Sequence, residues 1–305
     1  MAVGDIITAA RYNIIRARIA GVLGVGAGDE GYGQGVTSIA VAAGATVTSA
    51  HMSALYTDIN KCIVHQTGAN ISGSLAVPSA GDTIEDSNTS TKEGYVQYES
   101  TSTTAQASRL NVASSQLGLQ SGTSSSRGSS WSTDINHIFT VTFGGYSVTN
   151  GDGSTTSVSS TDHMRVFFNA GGSINLSGSI GSGNTPINND WRNLMSSVGT
   201  VVFDRDNTSN GSVGTSYGYV NLPTSYVTIF NKTASAYGDN DYLIEARKNS
   251  NVLTFRVTFN EDKGGNPNFD EAVTATTSST AQMNRPNNTS SVNVPAPTFN
   301  TTDNL

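Results

Sequence analysis

The groups with which this chain of 305 residues could do chemistry are few: four histidines, one cysteine and 23 acidic residues. His51, His65, His137 and His163 stand at no metal-ligand spacing from one another and inside no nucleophile motif. Asp134 precedes His137 by three residues, and Asp162 adjoins His163. Neither pair brings the third group that orients a catalytic imidazole, so both read as loop or sheet-edge residues. Cys62 is the single cysteine, which excludes an internal disulfide and a two-cysteine metal motif. It reads as a small buried apolar residue.

Two acidic or glycine-rich strings invite a sharper reading. Asp204-Arg205-Asp206-Asn207 begins like a calcium-binding loop, but Ser209 stands where the invariant glycine belongs and Thr215 where the bidentate glutamate belongs. Gly26-x-Gly28-x-x-Gly31 fits a dinucleotide fingerprint only when a strand precedes it and a helix follows, and here a helix precedes and an extended segment follows. Ordinary turns and a capped helix end, with Gly24 as a left-handed cap, are the better readings. No catalytic, cofactor-binding or metal-ligating set emerges, and no cofactor is expected. A glycosidase needs two carboxylates near in space, and Asp204, Asp206, Glu245 and Glu261 lie on or beside predicted strands with none singled out. Tyr217, Tyr219, Tyr226 and Tyr237 could stack on sugar rings, although tyrosine is also enriched in sheets and interfaces. Asp204, Asp206, Tyr217 and Tyr219 are therefore the candidate surface-binding loop residues.

The clearest elements lie near the start. Gly4-Asp5-Ile6-Ile7-Thr8 and Gly44-Ala45-Thr46-Val47-Thr48 share one pattern at an offset of about 40, a repeat-like spacing. Thr8 and Thr48 are placed to N-cap helices. Behind them Tyr12, Ile15, Ile19 and Val22 fall opposite Met52, Leu55, Ile59 and Cys62, at spacings of three and four. Two such helices bury each other only in part, so this seam is expected to be the oligomerisation or assembly surface. His65 sits in the last turn of the second helix, where the dipole favours a cation, and reads as a capping or interface residue. A weaker third start at Gly81-Asp82-Thr83-Ile84 leads to a helix through Tyr95, Val96 and Tyr98.

Residues 1–120 thus read as a helical module and 121–130, Ser/Gly-rich, as a linker. Residues 131–284 read as an antiparallel, sandwich-like β-domain. Its predicted strands are 138–143, 164–169, 173–180, 200–204, 217–220, 226–230, 242–247, 252–259 and a Thr-rich stretch from Glu271. Asn169-Ala170-Gly171-Gly172 is read as a hairpin turn, Tyr237–Asn240 as another turn, and residues 189–199 as the domain's one helix, with Trp191, Leu194, Met195 and Val198 on one face. Residues 285–305 form an extended Pro/Asn-rich tail that buries little of itself, so a neighbouring subunit is expected to hold it. The fold class is α+β.

Composition narrows the partners. Charged residues make up 13% of the chain, against a norm of roughly 25%. The net charge of -7 provides no basic footprint for nucleic acid. No apolar run approaches the roughly 20 residues of a membrane span, and the first residues lack the basic flank and apolar core of a secretory signal. Neither membrane insertion nor export by the usual route is expected.

Asp5-Ile-Ile-Thr-Ala-Ala-Arg-Tyr-Asn, Leu23-Gly-Val-Gly-Ala-Gly with Gly31-Tyr-Gly-Gln, His65-Gln-Thr-Gly and His163-Met-Arg-Val-Phe-Phe-Asn-Ala-Gly-Gly resemble segments of virion structural proteins from contractile-tailed phages of cyanobacteria. The closing Val273–Thr280 stretch and Pro-rich end are similar to the same proteins. The resemblance implies a tail-, fibre- or baseplate-associated part assembled in the host cytoplasm, without an active site. Its partners would be other copies of itself, as a trimer or another cyclic oligomer, and other virion proteins. The alternatives are an adhesin that recognises host surface glycan and, third, a glycan-degrading tail enzyme.

Overall fold

The computed structural model describes residues 7–71, 73, 75–82, 84, 93–234, 238, 240–261, 272–287 and 291–304. The sequence readings at Gly4, Asp5, Ile6, Thr83, Tyr237, Asp239 and Glu271 lie outside these residues. The helices are α1 (Ala9–Leu23), α2 (Ser49–Thr67), α3 (Tyr95–Ala107), α4 (Ser160–Asn169) and α5 (Pro186–Val198). The strands are β1 (Leu117–Arg127), β2 (Ile135–Thr142), β3 (Tyr146–Thr149), β4 (Thr155–Val158), β5 (Ser173–Ile180), β6 (Thr200–Phe203) and β7 (Thr208–Ser209), then β8 (Gly214–Thr215), β9 (Val227–Thr233), β10 (Asp241–Asn249), β11 (Val252–Asn260), β12 (Thr277–Pro286) and β13 (Thr298–Asn304). The chain is α+β, with the helices leading and a β-rich part following.

Two compact units form, and the chain passes between them more than once. The first comprises Met1–Gly118, Gly145–Gly171 and Arg285–Pro295, and the second Leu119–Gly144, Gly172–Asn284 and Ala296–Leu305. The boundary drawn near residue 120 coincides with the first passage only; the β3–β4 hairpin, α4 and residues 285–295 belong to the helical unit.

In the first unit Thr8 and Thr48 cap α1 and α2, their hydroxyls accepting from the amides of Arg11 (3.3 Å) and His51 (3.4 Å). Tyr12, Ile15, Ile19 and Val22 are buried, as are Met52, Leu55, Ile59 and Cys62, none more than 1% exposed. Burial of such side chains stabilises by about 1.5–3 kcal/mol each. This corrects the assembly reading of the seam: it closes within one chain, with α1 lying against both α2 and α3. The surface that completes the burial of α1 and α2 is α3, whose seam is partly polar. Arg18 Nη1 donates to Ser102 Oγ (2.8 Å), and Tyr98 donates to the Ala76 carbonyl (2.8 Å).

Gly68 ends α2 in the left-handed region (φ 77°), as the sequence suggests, whereas Gly24 ends α1 in extended backbone (φ -72°, ψ -152°). Residues 36–42 join no sheet. The Asn13 side chain takes the part of a partner strand, accepting from the Val41 amide (3.0 Å) and donating to its carbonyl (2.8 Å). Asp58 of α2, fully buried, accepts from the amides of Thr37 (2.9 Å) and Ser38 (2.7 Å).

Residues 164–169, read from sequence as a strand, are helical. Ser159 caps α4 by accepting from the Asp162 amide (3.1 Å), and a Ser followed three residues later by an acid is itself a helix-start signal. The residues read as a hairpin turn are the end of α4 and its exit at Gly171 (φ 84°), where a Cβ would come within 2.9 Å of Val112.

The second unit is an antiparallel sandwich of a six-stranded sheet, β1-β12-β5-β6-β7-β8, and a five-stranded sheet, β13-β2-β11-β10-β9. Alternating burial along β2, β10 and β11 directs Phe139, Val141, Tyr242, Ile244, Phe255 and Val257 inward. Phe203 of β6 meets Phe255 of β11 edge to face at 5.2 Å between ring centres. Helix α5 packs on β5 through its Trp191, Leu194, Met195 and Val198 face, all buried. Gly178 permits that approach, since a Cβ there would lie 2.6 Å from the Met195 sulfur and 2.9 Å from the Tyr242 ring.

Two compositional readings fail for one reason. Residues 121–127 of the expected linker belong to β1, and residues 298–304 of the expected free tail form β13, paired in register with β2 from Thr298↔Thr142 to Asn304↔Asn136. Val292 and Val294 are fully buried as well. The chain itself holds its tail, so a neighbouring subunit is not needed for that. Residues 217–220, expected as a strand, join no strand and lead into a turn at 219–221.

Candidate functional site

The loop residues singled out from sequence do come together. Asp204 Oδ1 accepts from the amides of Asp206 and Asn207, both at 2.8 Å, which closes a tight turn behind β6. The Tyr219 amide donates to the Asp204 carbonyl (3.0 Å), and the Thr208 hydroxyl donates to the Tyr217 carbonyl (2.7 Å). Gly218 lies so close to this turn that a Cβ would sit 2.5 Å from the Asn207 amide nitrogen. Asp204, Asp206, Tyr217 and Tyr219 therefore share one rigid surface cluster.

Its chemistry differs from that of a calcium or sugar-stacking loop. Asp204 spends one oxygen on backbone amides, and Asp206 pairs with Arg205 (2.6 Å). Among the described residues no three His, Cys, Asp or Glu side chains gather as a metal site. The Lys248 ammonium lies 4.4 Å from the centre of the Tyr219 ring, and Tyr226 carries two guanidiniums, Arg247 at 4.5 Å and Arg256 at 4.6 Å. These cation–π contacts occupy ring surface that a sugar would need. Glu245 is committed to Arg256, whose Nε donates to it at 2.6 Å.

Each histidine has a structural role. His65 is buried at the end of α2, its Nε2 donating to the Ala170 carbonyl (3.1 Å) and its ring edge-on to Tyr32 at 4.7 Å. Burial drives its pKa down to about 4, so it is neutral at pH 7 and gains nothing from the helix dipole, contrary to the sequence reading. His137 meets Ser279 Oγ at 2.8 Å within the sandwich, and burial lowers its pKa as well, against a smaller opposing pull from Asp303. His163 Nε2 donates to the Pro295 carbonyl (2.9 Å), and His51 completes a capping box with Thr48. Cys62 is buried, and burial raises its thiol pKa, with Asp58 adding to the rise.

The glycine loop is a built structure with the wrong polarity for phosphate. Gly26, Gly28, Gly31 and Gly33 all have positive φ, and a Cβ on Gly31 would lie 1.9 Å from the Val25 carbonyl oxygen. What the loop presents is carbonyls. Arg165 of α4 donates to those of Val25 (2.6 Å), Gly26 (3.2 Å) and Glu30, and Asn169 donates to those of Gly28 and Glu30, both at 3.1 Å. A phosphate cradle needs amide donors instead. Sequence reading missed Arg165 and Asn169 because it placed them on a strand; their spacing of four on a helix was the usable signal.

Comparison of the chain with protein-family models, with curated proteins and with solved structures finds no match.

Proposed function

We propose that this chain is a non-enzymatic structural component of a phage virion, associated with tail, fibre or baseplate, that acts by assembling with copies of itself and docking to other virion proteins. The reading rests on the sequence resemblance and on one structural observation, the character of β1. This strand is 11 residues long and forms the edge of the six-stranded sheet. From Leu117 to Ser126 it carries no charge and no proline, and Leu119 is 61% exposed. Monomeric proteins blunt such edges with charges, prolines or bulges, because an open edge is a template for another chain. With the α1–α2 seam buried, the β1 edge is a surface suited to copy-to-copy contact.

Light scattering on the eluting full-length protein tests this. The expected result is an oligomer of defined stoichiometry that dissociates when Leu119→Lys and Thr123→Lys are combined, with the far-UV circular dichroism unchanged. A wild-type chain that stays monomeric throughout the micromolar range would overturn the assembly reading.

A second reading, an adhesin for host surface glycan, draws on the rigid cluster of Asp204, Asp206, Tyr217 and Tyr219. The cations on Tyr219 and Tyr226 weigh against it. Glycan-array binding that is lost in Asp206→Ala would favour it. Release of soluble sugar from host envelope would favour the third reading, a glycan-degrading enzyme.

A further inference from the structure

The first unit holds a cavity of about 270 Å³ between α1, the segment after the glycine loop and the β3–β4 hairpin. Its walls are fixed by close backbone approaches. A Cβ on Gly35 would lie 2.0 Å from the Thr149 carbonyl oxygen, and one on Gly151 would lie 1.9 Å from that of Thr37. The Gly151 amide donates to the Val36 carbonyl (2.9 Å), and the Val36 amide donates to Asn150 Oδ1 (3.2 Å). These contacts fix the β3–β4 hairpin against residues 35–37 beside the cavity.

Three polar groups at its wall have capacity to spare. Arg16 uses Nε on the Ser38 carbonyl (3.0 Å), and its two Nη atoms take no partner among the described residues. Ser38 also borders the cavity, but its hydroxyl is sealed beneath the wall and takes no part in it. The Thr156 oxygen accepts from Asn150 Nδ2 (2.9 Å), which leaves its own proton to donate. Asp152, on the turn between β3 and β4, also lines the cavity; it is exposed, one oxygen accepts from the Ser154 amide (2.9 Å), and the Arg16 charge acts on it. Val25 and Ile39 supply apolar surface beside these groups.

A guanidinium and a carboxylate on one small cavity select against ions of either sign. An anion drawn to Arg16 meets Asp152, and a cation drawn to Asp152 meets Arg16. A neutral ligand with adjacent hydroxyls satisfies both, since each hydroxyl accepts and donates. The volume lies just under the roughly 300–1,000 Å³ of ligand pockets and suits one ring better than a chain of them. We propose that this cavity binds a single neutral hexose ring, with Arg16 and Thr156 donating to vicinal hydroxyls, Asp152 accepting from them, and Val25 and Ile39 against the C–H face.

The site lies in the helical unit and is independent of both the β1 edge and the loop at residues 204–219. Saturation-transfer NMR on the full chain tests it, with D-glucose, D-galactose, D-mannose and D-glucuronate each at about 10 mM, a concentration suited to weak binding. At least one of the three neutral hexoses should take up saturation at its ring protons. Arg16→Met and Asp152→Asn should each weaken that binding about tenfold, the size of one lost charge-assisted hydrogen bond. Asp204→Asn should leave it unchanged, which separates this site from the adhesin loop. Should Arg16→Met fail to fold, the exposed Asp152→Asn carries the test alone. Saturation of none of the neutral hexoses, saturation confined to glucuronate, or a signal indifferent to Asp152→Asn would each overturn the proposal.

Discussion

At the scale of single residues, the groups that looked most reactive are the ones the fold has neutralised. His65 illustrates the energetics. Its pKa is held at about 4 by burial, below the ordinary 6.5. Between these values the unfolded chain binds more protons than the folded one, so stability is complete above pH 6.5 and falls as pH drops towards 4. One such group accounts for a loss of at most about 3 kcal/mol across that window. His137, also lowered by burial, acts in the same direction. His65→Gln keeps a donor for the Ala170 carbonyl and removes the titration. Urea midpoints measured from pH 7 to pH 4 should fall less steeply in this variant than in the wild type; parallel profiles would show that His65 does not carry the linkage. Sequence alone marked His65 by its place in a last helical turn, but could not show that Ala170, some hundred residues on, would bury it.

At the scale of elements, what was legible was what is local. The caps at Thr8 and Thr48, the apolar spacing behind them and the alternation of β5, β10 and β11 each lie within about ten consecutive residues, and each appears where the pattern places it. A short stretch such as Met164–Phe168, apolar but for Arg165, satisfies strand and helix alike. The cap at Ser159 decides it, and lies outside the run. β1 and β13 were illegible for a different reason. Their Ser, Thr, Gly and Asn residues have no strand pattern of their own, and they are strands because β12 and β2 offer them ladders. Gly178 shows how closely such elements can be fitted. The Met195 sulfur (2.6 Å) and the Tyr242 ring (2.9 Å) lie closer to where a Cβ would stand than a real Cβ contact allows, and the Phe259 ring (3.1 Å) is tight against it. Gly178→Ala should therefore destabilise the sandwich by about 1–3 kcal/mol. An unchanged urea midpoint would mean that α5 yields without cost, and that this contact does not fix its distance from the sheet.

At the scale of the whole molecule, the question is what the sandwich loses when the helical unit fails. Ile15→Asp combined with Leu55→Asp places two charges in a seam that excludes water, which a buried helix pair cannot tolerate. The first unit should unfold. Residues 145–171 and 285–295 then become loops of roughly thirty and ten residues whose ends the sandwich must hold together unaided, at a cost of about 3 and 2 kcal/mol. A unit of about 150 residues has a stability of the order of 7–22 kcal/mol. The deficit is smaller than that range, so the sandwich should survive, weakened. The two tryptophans make this measurable, because Trp131 and Trp191 are both buried in the second unit. The double variant should lose helical circular dichroism while its tryptophan emission stays native in buffer and shows a urea transition shifted to lower concentration. Exposed-type emission without denaturant would instead mean that the chain's repeated passages bind the two units into one cooperative fold.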